Sequence, residues 1–128
     1  MFGFSISHSA QNAAALGIAS VWVFHGLYSK ILNRIPRHRE IVSRVLGERF
    51  AGPATKIIGA MEVLMGLWIL SGFERTLCAG VQTVGLFVMN ALEIRFARDV
   101  LISPIGMVVL NLGFVCVIWA WALCGPLR

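Results

Sequence analysis

The chain has 128 residues, 58% of them hydrophobic and 13% charged, with a net charge of +5. A soluble domain of this length has no core large enough to hide so much apolar surface, whereas lipid covers it. The composition therefore excludes an ordinary soluble enzyme and points to an integral membrane protein. The positive balance does not make it a nucleic-acid binder, because the basic residues lie against apolar segments with no recognition motif beside them.

Four segments are long enough to cross a hydrocarbon layer about 30 Å thick at about 1.5 Å per residue. In chain order they are 13–33, 54–73, 76–96 and 102–123. Asn12 precedes the first, Pro53 precedes the second, Gly72 closes it, and Pro104 stands in the first turn of the fourth. The connections after the second and third segments are so short that the helices they join must be antiparallel neighbours. The expected fold is all-α, an integral membrane antiparallel four-helix bundle forming one domain over 1–128. The opening stretch MFGFSISHSAQN lacks a basic n-region and no small-residue cleavage site follows, so the first helix is expected to be retained. Cys78, Cys116 and Cys124 form no CxxC pair and read as apolar filler.

Between the first two spans, RHREIVSRVLGERF places Ile41, Val42, Val45, Leu46 and Phe50 at helical spacing among arginines. This predicts a short amphipathic helix over 38–50, lying on the cytoplasmic leaflet and held by apolar burial and anionic lipid. A docking site for a soluble partner is the alternative. Nine of the eleven Lys and Arg residues flank the first and third connections, leaving Arg75 and Arg128 opposite. The positive-inside rule then puts those connections in the cytoplasm and both termini outside. Trp68, Trp119 and Trp121 fall in the outer halves of their helices, as interfacial anchors would.

The stretch IIGAMEVLMGLWIL carries a carboxylate, Glu62, in the middle of a span. A charge at a helix centre costs about 2.5–3.5 kcal/mol on insertion scales, so it calls for partners. Counted from the cytoplasmic ends, His25 and Glu62 lie about eight residues in and Asn111 about nine, roughly 12–14 Å deep. Asn90 is half a layer shallower, and Lys30 and Glu93 are both about one turn in. Gly59 and Gly66 flank Glu62 at i−3 and i+4, which narrows that face for a neighbouring helix. Gln82, Leu86, Met89 and Glu93 share one stripe of the third helix, with Asn90 at its edge. These polar groups are expected to face inward, with His25 in hydrogen-bonding reach of Glu62, directly or through water, and Lys30 paired with Glu93. The structural alternatives are a snorkelling Lys30 and amides that only tie helices together. No metal site is expected, since His25 and Glu62 make two ligands at most, and haem would lack a second axial ligand.

At HGLYSK, His25 to Lys30, followed by GAMEVLMG, Gly59 to Gly66, the chain resembles the DoxX-like family of small four-helix bacterial membrane proteins. The shared pattern is His-Gly near the end of the first helix, Lys four residues after that glycine, and Gly-x-x-Glu-x-x-x-Gly on the second. The resemblance implies a multi-pass protein of the bacterial inner membrane, with both termini in the periplasm by the charge rule. The family's name derives from likeness to a subunit of an archaeal thiosulfate:quinone oxidoreductase, and other members are linked to membrane-associated redox or oxidative-stress systems. It therefore implies a quinone-interacting subunit of a redox complex, with His25, Lys30 and Glu62 on family motif positions. A quinone would be the cofactor, held by His25, Glu62, Asn111 and Asn90, with Lys30 and Glu93 leading to the cytoplasm. The chain has no cysteine motif and no nucleotide-binding loop, so its electrons would come from a soluble partner on the cytoplasmic side. Two other functions stand beside this one: a non-catalytic assembly or anchoring protein, and a small proton-coupled transporter. The strong charge bias speaks against the transporter, and self-association is left open.

Overall fold

The computed structural model describes residues 7–124, and the side chain of Cys124 is not among the features described. Both ends of the chain, Arg128 included, lie outside these residues. Helix α1 (His8–Val23) starts where the Ser7 hydroxyl accepts from the Ala10 N–H at 3.1 Å, satisfying one of the unpaired donors of a first turn. It continues into eight residues of π-helix, Phe24–Ile31. Helix α2 (Pro36–Leu46) opens on a proline, whose missing N–H costs nothing there. Gly47 stops it with a φ of +95°, a conformation that suits glycine. Helix α3 (Glu48–Ser71) ends on Gly72 in the left-handed region. Helix α4 (Arg75–Ala97) leads through a 3₁₀ turn, Arg98–Val100, to α5 (Pro104–Cys124). The Ser103 hydroxyl caps α5 by accepting from the Gly106 N–H at 3.0 Å.

Two boundaries depart from the sequence expectation. The amphipathic helix covers 36–46 instead of 38–50, because Gly47 breaks it. Glu48 to Pro53 instead form the first turns of α3, so Pro53 lies inside that helix. The proline removes one backbone hydrogen bond in a turn where Arg49 and Phe50 are exposed, outside the purely apolar stretch.

Among the described residues, α3, α4 with its 3₁₀ turn, and α5 are each long and apolar enough to cross a membrane. His8–Ile31 and Pro36–Leu46 meet that standard only as a pair, and they are bent by 79° to one another. Such an angle is what a helix lying on a bilayer makes with one that spans it. The result is an all-α bundle with three candidate spans among the described residues, or four when the bent pair counts as one.

Helix α3 packs along α1 and the π segment, while α4 packs along α5. The two pairs join in a core of Ile18, Trp22, Ile69, Cys78, Leu86, Ile118 and Trp121, drawn mainly from the helix halves far from α2. At the other end α2 lies across α3 and α4. Trp121, only 2% exposed, fills this core instead of anchoring an interface, because it shares the inward stripe with Ile118 three residues before it. Trp68 and Trp119 donate their indole N–H groups to Phe73 O at 2.8 Å and to Thr83 Oγ1 at 2.9 Å. Large apolar side chains such as Phe87, Ile105 and Leu110 point outward from the bundle, a surface that lipid covers and water would not tolerate.

Candidate functional site

The site begins with the way α1 meets α3. A methyl group added at Gly26 would collide with the backbone carbonyl of Gly59, and one at Gly59 would sit 2.6 Å from Gly26 O and 2.9 Å from Lys30 Cβ. At Gly66 it would lie 2.6 Å from Val23 Cγ2. The three glycines thus let two backbones touch, as small residues do between membrane helices.

The segment that carries His25 and Lys30 is the π-helix. In an α-helix, residues five apart point about 140° away from each other. In a π-helix the hydrogen bonds run i→i+5, so residues five apart lie nearly one above the other. His25 and Lys30 are five apart, and the Leu32 N–H closes the segment by donating to Leu27 O, also five back, at 2.9 Å. Lys30 follows Gly26 by four residues, a spacing that keeps both on the α3 side, and its Cβ lies beside Gly59. Its side chain runs one turn along α3 to Glu62, where Nζ lies 2.7 Å from Oε1. Lys30 is 8% exposed and Glu62 5%, so this is a buried ion pair.

Two further groups join it. Lys30 Nζ is 3.1 Å from His38 Nδ1 on α2, and the ammonium donates, so that ring nitrogen accepts. The His38 ring stacks on His25, with centroids 5.6 Å apart and planes 19° from parallel. On the other helix pair, Asn111 Nδ2 donates to Asn90 Oδ1 at 2.7 Å.

All of these groups line one cavity of about 640 Å³ between the two helix pairs. His25, Lys30, Glu62, Asn90, Glu93 and Asn111 face it together, among apolar walls that include Leu86, Met107 and Phe114. Ile41, Val42 and Val45 of α2 roof it. Its inner limit is drawn by Trp22, whose indole N–H donates to Gln82 Oε1 at 2.8 Å, with Gln82 fully buried. At the rim, Arg44 Nη1 donates to Asp99 Oδ1 at 2.7 Å, joining the roof to the α4–α5 connection.

The expected Lys30–Glu93 pair is corrected by this geometry. Among the described residues Lys30 pairs with Glu62 and not with Glu93, and it turns inward instead of snorkelling. The direct partner of Glu62 is Lys30, and His25 stacks on His38. The cause is the close contact of Gly26 with Gly59 and the length of the lysine side chain, which carries the ammonium about one turn along α3 from its Cα.

The surroundings of His38 carry a pH signature. Burial, and after it the positive charges of Lys30, His25 and Arg37, push its imidazole down to about 3, from an ordinary value of 6.5. The unfolded chain therefore binds a proton at His38 between those two values while the folded chain does not. Stability from this group is complete above pH 6.5 and declines as the pH falls toward 3. Thermal unfolding in detergent is expected to show Tm dropping across that window, with a shallower drop in His38→Gln. Equal slopes would mean that His38 is not held neutral under α2.

The model of the DoxX-like family matches residues 19–119, a segment that contains every residue lining the cavity. The chain belongs to the DoxX-like family. Comparison with curated proteins and with solved structures gave no match. In this DoxX-like chain the motif residues His25, Lys30 and Glu62 stand on one wall, and Asn90, Glu93 and Asn111 stand across from them on α4 and α5. The sequence reading missed Arg37 and His38. A signal for His38 was present, since His38, Ile41, Val42 and Val45 fall at i, i+3, i+4 and i+7, the inward stripe of α2.

Proposed function

We propose that this DoxX-like protein binds a quinone in the cavity under α2, as the membrane subunit of a redox complex in the bacterial inner membrane. The observation that carries the reading is the convergence of His25, Lys30, Glu62, Asn90, Glu93 and Asn111, joined by Arg37 and His38 of α2, on one largely apolar cavity of about 640 Å³. That volume lies within the roughly 300–1,000 Å³ usual for small-molecule sites, and apolar walls with a few convergent polar groups suit a quinone ring and tail. A bound quinone supplies the redox chemistry, taking up two electrons and two protons on full reduction.

The chain's own residues bind and orient the quinone. Lys30, held by Glu62, offers a charged donor on the α3 side of the cavity. The Asn90–Asn111 pair uses one donor and one acceptor on itself, which leaves the amide N–H groups of Asn90 and the carbonyl of Asn111 to face a guest. His38, accepting from Lys30 at Nδ1, links the cavity to α2 on the basic side, and His25 stacks against it. By the charge rule that side is cytoplasmic and both termini are periplasmic. Electrons arrive from a soluble partner on that side.

The test is the quinone content of protein purified in mild detergent, measured by mass spectrometry. Wild type is expected to retain quinone, and Asn111→Leu and Leu86→Trp to retain about tenfold less while staying folded, the effect of losing one good polar contact or the cavity itself. Quinone at membrane background in the wild type would overturn the reading in favour of the anchoring alternative.

A further inference from the structure

A second, smaller cavity of about 220 Å³ lies outside the first, where the π segment, α2 and α3 meet. Lys30 separates the two. Lys30, Arg39 and Lys56 line this cavity together with Asn33, and no carboxylate does. Lys30 is already neutralised by Glu62 at 2.7 Å, but Arg39 and Lys56 have no acidic partner among the described residues. Two positive charges and an amide donor therefore converge on one small space without a counter-charge.

Arg39 is exposed, and its guanidinium lies over Gly52 of α3, where an added methyl would come within 3.3 Å of Nη2 and 3.6 Å of Cζ. The missing side chain at Gly52 leaves the room in which the guanidinium approaches the helix. An arginine offers a planar fork that matches two oxygens of a phosphate, while Lys56 adds a point charge.

The flanks of the cavity are apolar and open outward. Leu32 borders it at 54% exposure. Below Lys56, Ala60, Val63 and Leu67 follow at i+4, i+7 and i+11, an apolar stripe that is exposed at Ala60 and Leu67 and runs down α3 toward the middle of its span. A basic pocket at the end of a lipid-facing apolar track matches a molecule with an anionic head and an acyl chain. It does not match a free soluble anion, which has no use for the track.

We propose that Arg39, Lys56 and Asn33 form a specific site for the phosphate of an anionic phospholipid, whose chain lies along Ala60, Val63 and Leu67. This goes beyond the diffuse attraction of a basic helix to a charged leaflet, because it assigns two cations among many. It is also independent of what the larger cavity holds.

The test is native mass spectrometry of the full chain released from micelles, with phosphatidylglycerol or phosphatidylcholine added, and with inorganic phosphate as competitor. Wild type is expected to retain phosphatidylglycerol over phosphatidylcholine by about tenfold or more, on the scale of two cations near a membrane surface. Arg39→Gln with Lys56→Gln is expected to abolish that preference. Arg34→Gln with Arg49→Gln, which removes the same charge elsewhere on the basic side, is expected to keep it. A second variant, Gly52→Leu, fills that room without changing charge and is expected to act like the first. Should the preference survive Arg39→Gln/Lys56→Gln, or vanish equally in the Arg34/Arg49 control, the specific site is overturned. Displacement of the lipid by inorganic phosphate alone would overturn the lipid assignment and leave a free-phosphate site on the same residues.

Discussion

Replacing Glu62 by Gln, or Lys30 by Met, is expected to cost about 3–5 kcal/mol of stability each, because either change leaves the other group buried without its counter-charge. Replacing both together is expected to cost far less than the sum. The pair is 2.7 Å apart, with both residues more than nine-tenths buried, so neither charge has water to fall back on. Lys30 alone would keep only His38, a neutral acceptor, and Glu62 alone would face an apolar cavity with no cation in contact. The double variant Lys30→Met/Glu62→Met removes both charges and leaves apolar side chains of similar length, which lipid-buried helices tolerate. Thermal unfolding of the four proteins in one detergent closes the cycle. Strong coupling is the expected result. Additive losses would show that the two groups do not act as a pair and would remove the base of the polar chain that runs through His38 to His25.

This coupling was only half legible in the sequence. Hydropathy alone marked the spans, since 20 or so apolar residues have few other destinations. Glu62 announced itself as a carboxylate in an apolar run, and counting depth from the helix ends gathered His25, Glu62, Asn90, Glu93, Lys30 and Asn111, all of which face one cavity. The partners went wrong for a physical reason. Depth counting locates Cα atoms, whereas a lysine carries its charge a full turn away, here along α3 to Glu62. No residue in FHGLYSKI is diagnostic of i→i+5 bonding. The glycine contact was visible on α3, from Gly59 and Gly66, but its match on the first helix, Gly26, reads as an ordinary glycine until the two backbones are seen together. The end of α2 was legible in principle, since Gly47 interrupts VLGERF, but continuing apolar spacing to Phe50 hid the break.

Gly26 therefore supports the second large effect. Gly26→Ala is expected to destabilise by about 1–3 kcal/mol or more, and Gly26→Leu to prevent recovery of folded protein, because overpacking against backbone has no rotamer to relieve it. The new methyl meets the carbonyl of Gly59 first and the Cβ of Glu62 at 3.0 Å next, so the helices must separate at the point where Lys30 reaches Glu62. A control is built into the same chain. Gly80, Gly85 and Gly113 are also helical glycines, and a methyl at any of them meets nothing within 4 Å. Alanine there is expected to be neutral or to stabilise by up to about 1 kcal/mol, since it is the better helix former. The measurement is Tm and monodispersity in detergent for Gly26→Ala against Gly80→Ala, Gly85→Ala and Gly113→Ala. If Gly26→Ala proves as harmless as the others, the close crossing of α1 and α3 is not what holds the site. If it alone is damaging, the coupling between Lys30 and Glu62 measured in the Gly26→Ala background is expected to shrink as well. That second result separates a glycine that merely packs from one that sets the distance across which the buried pair forms.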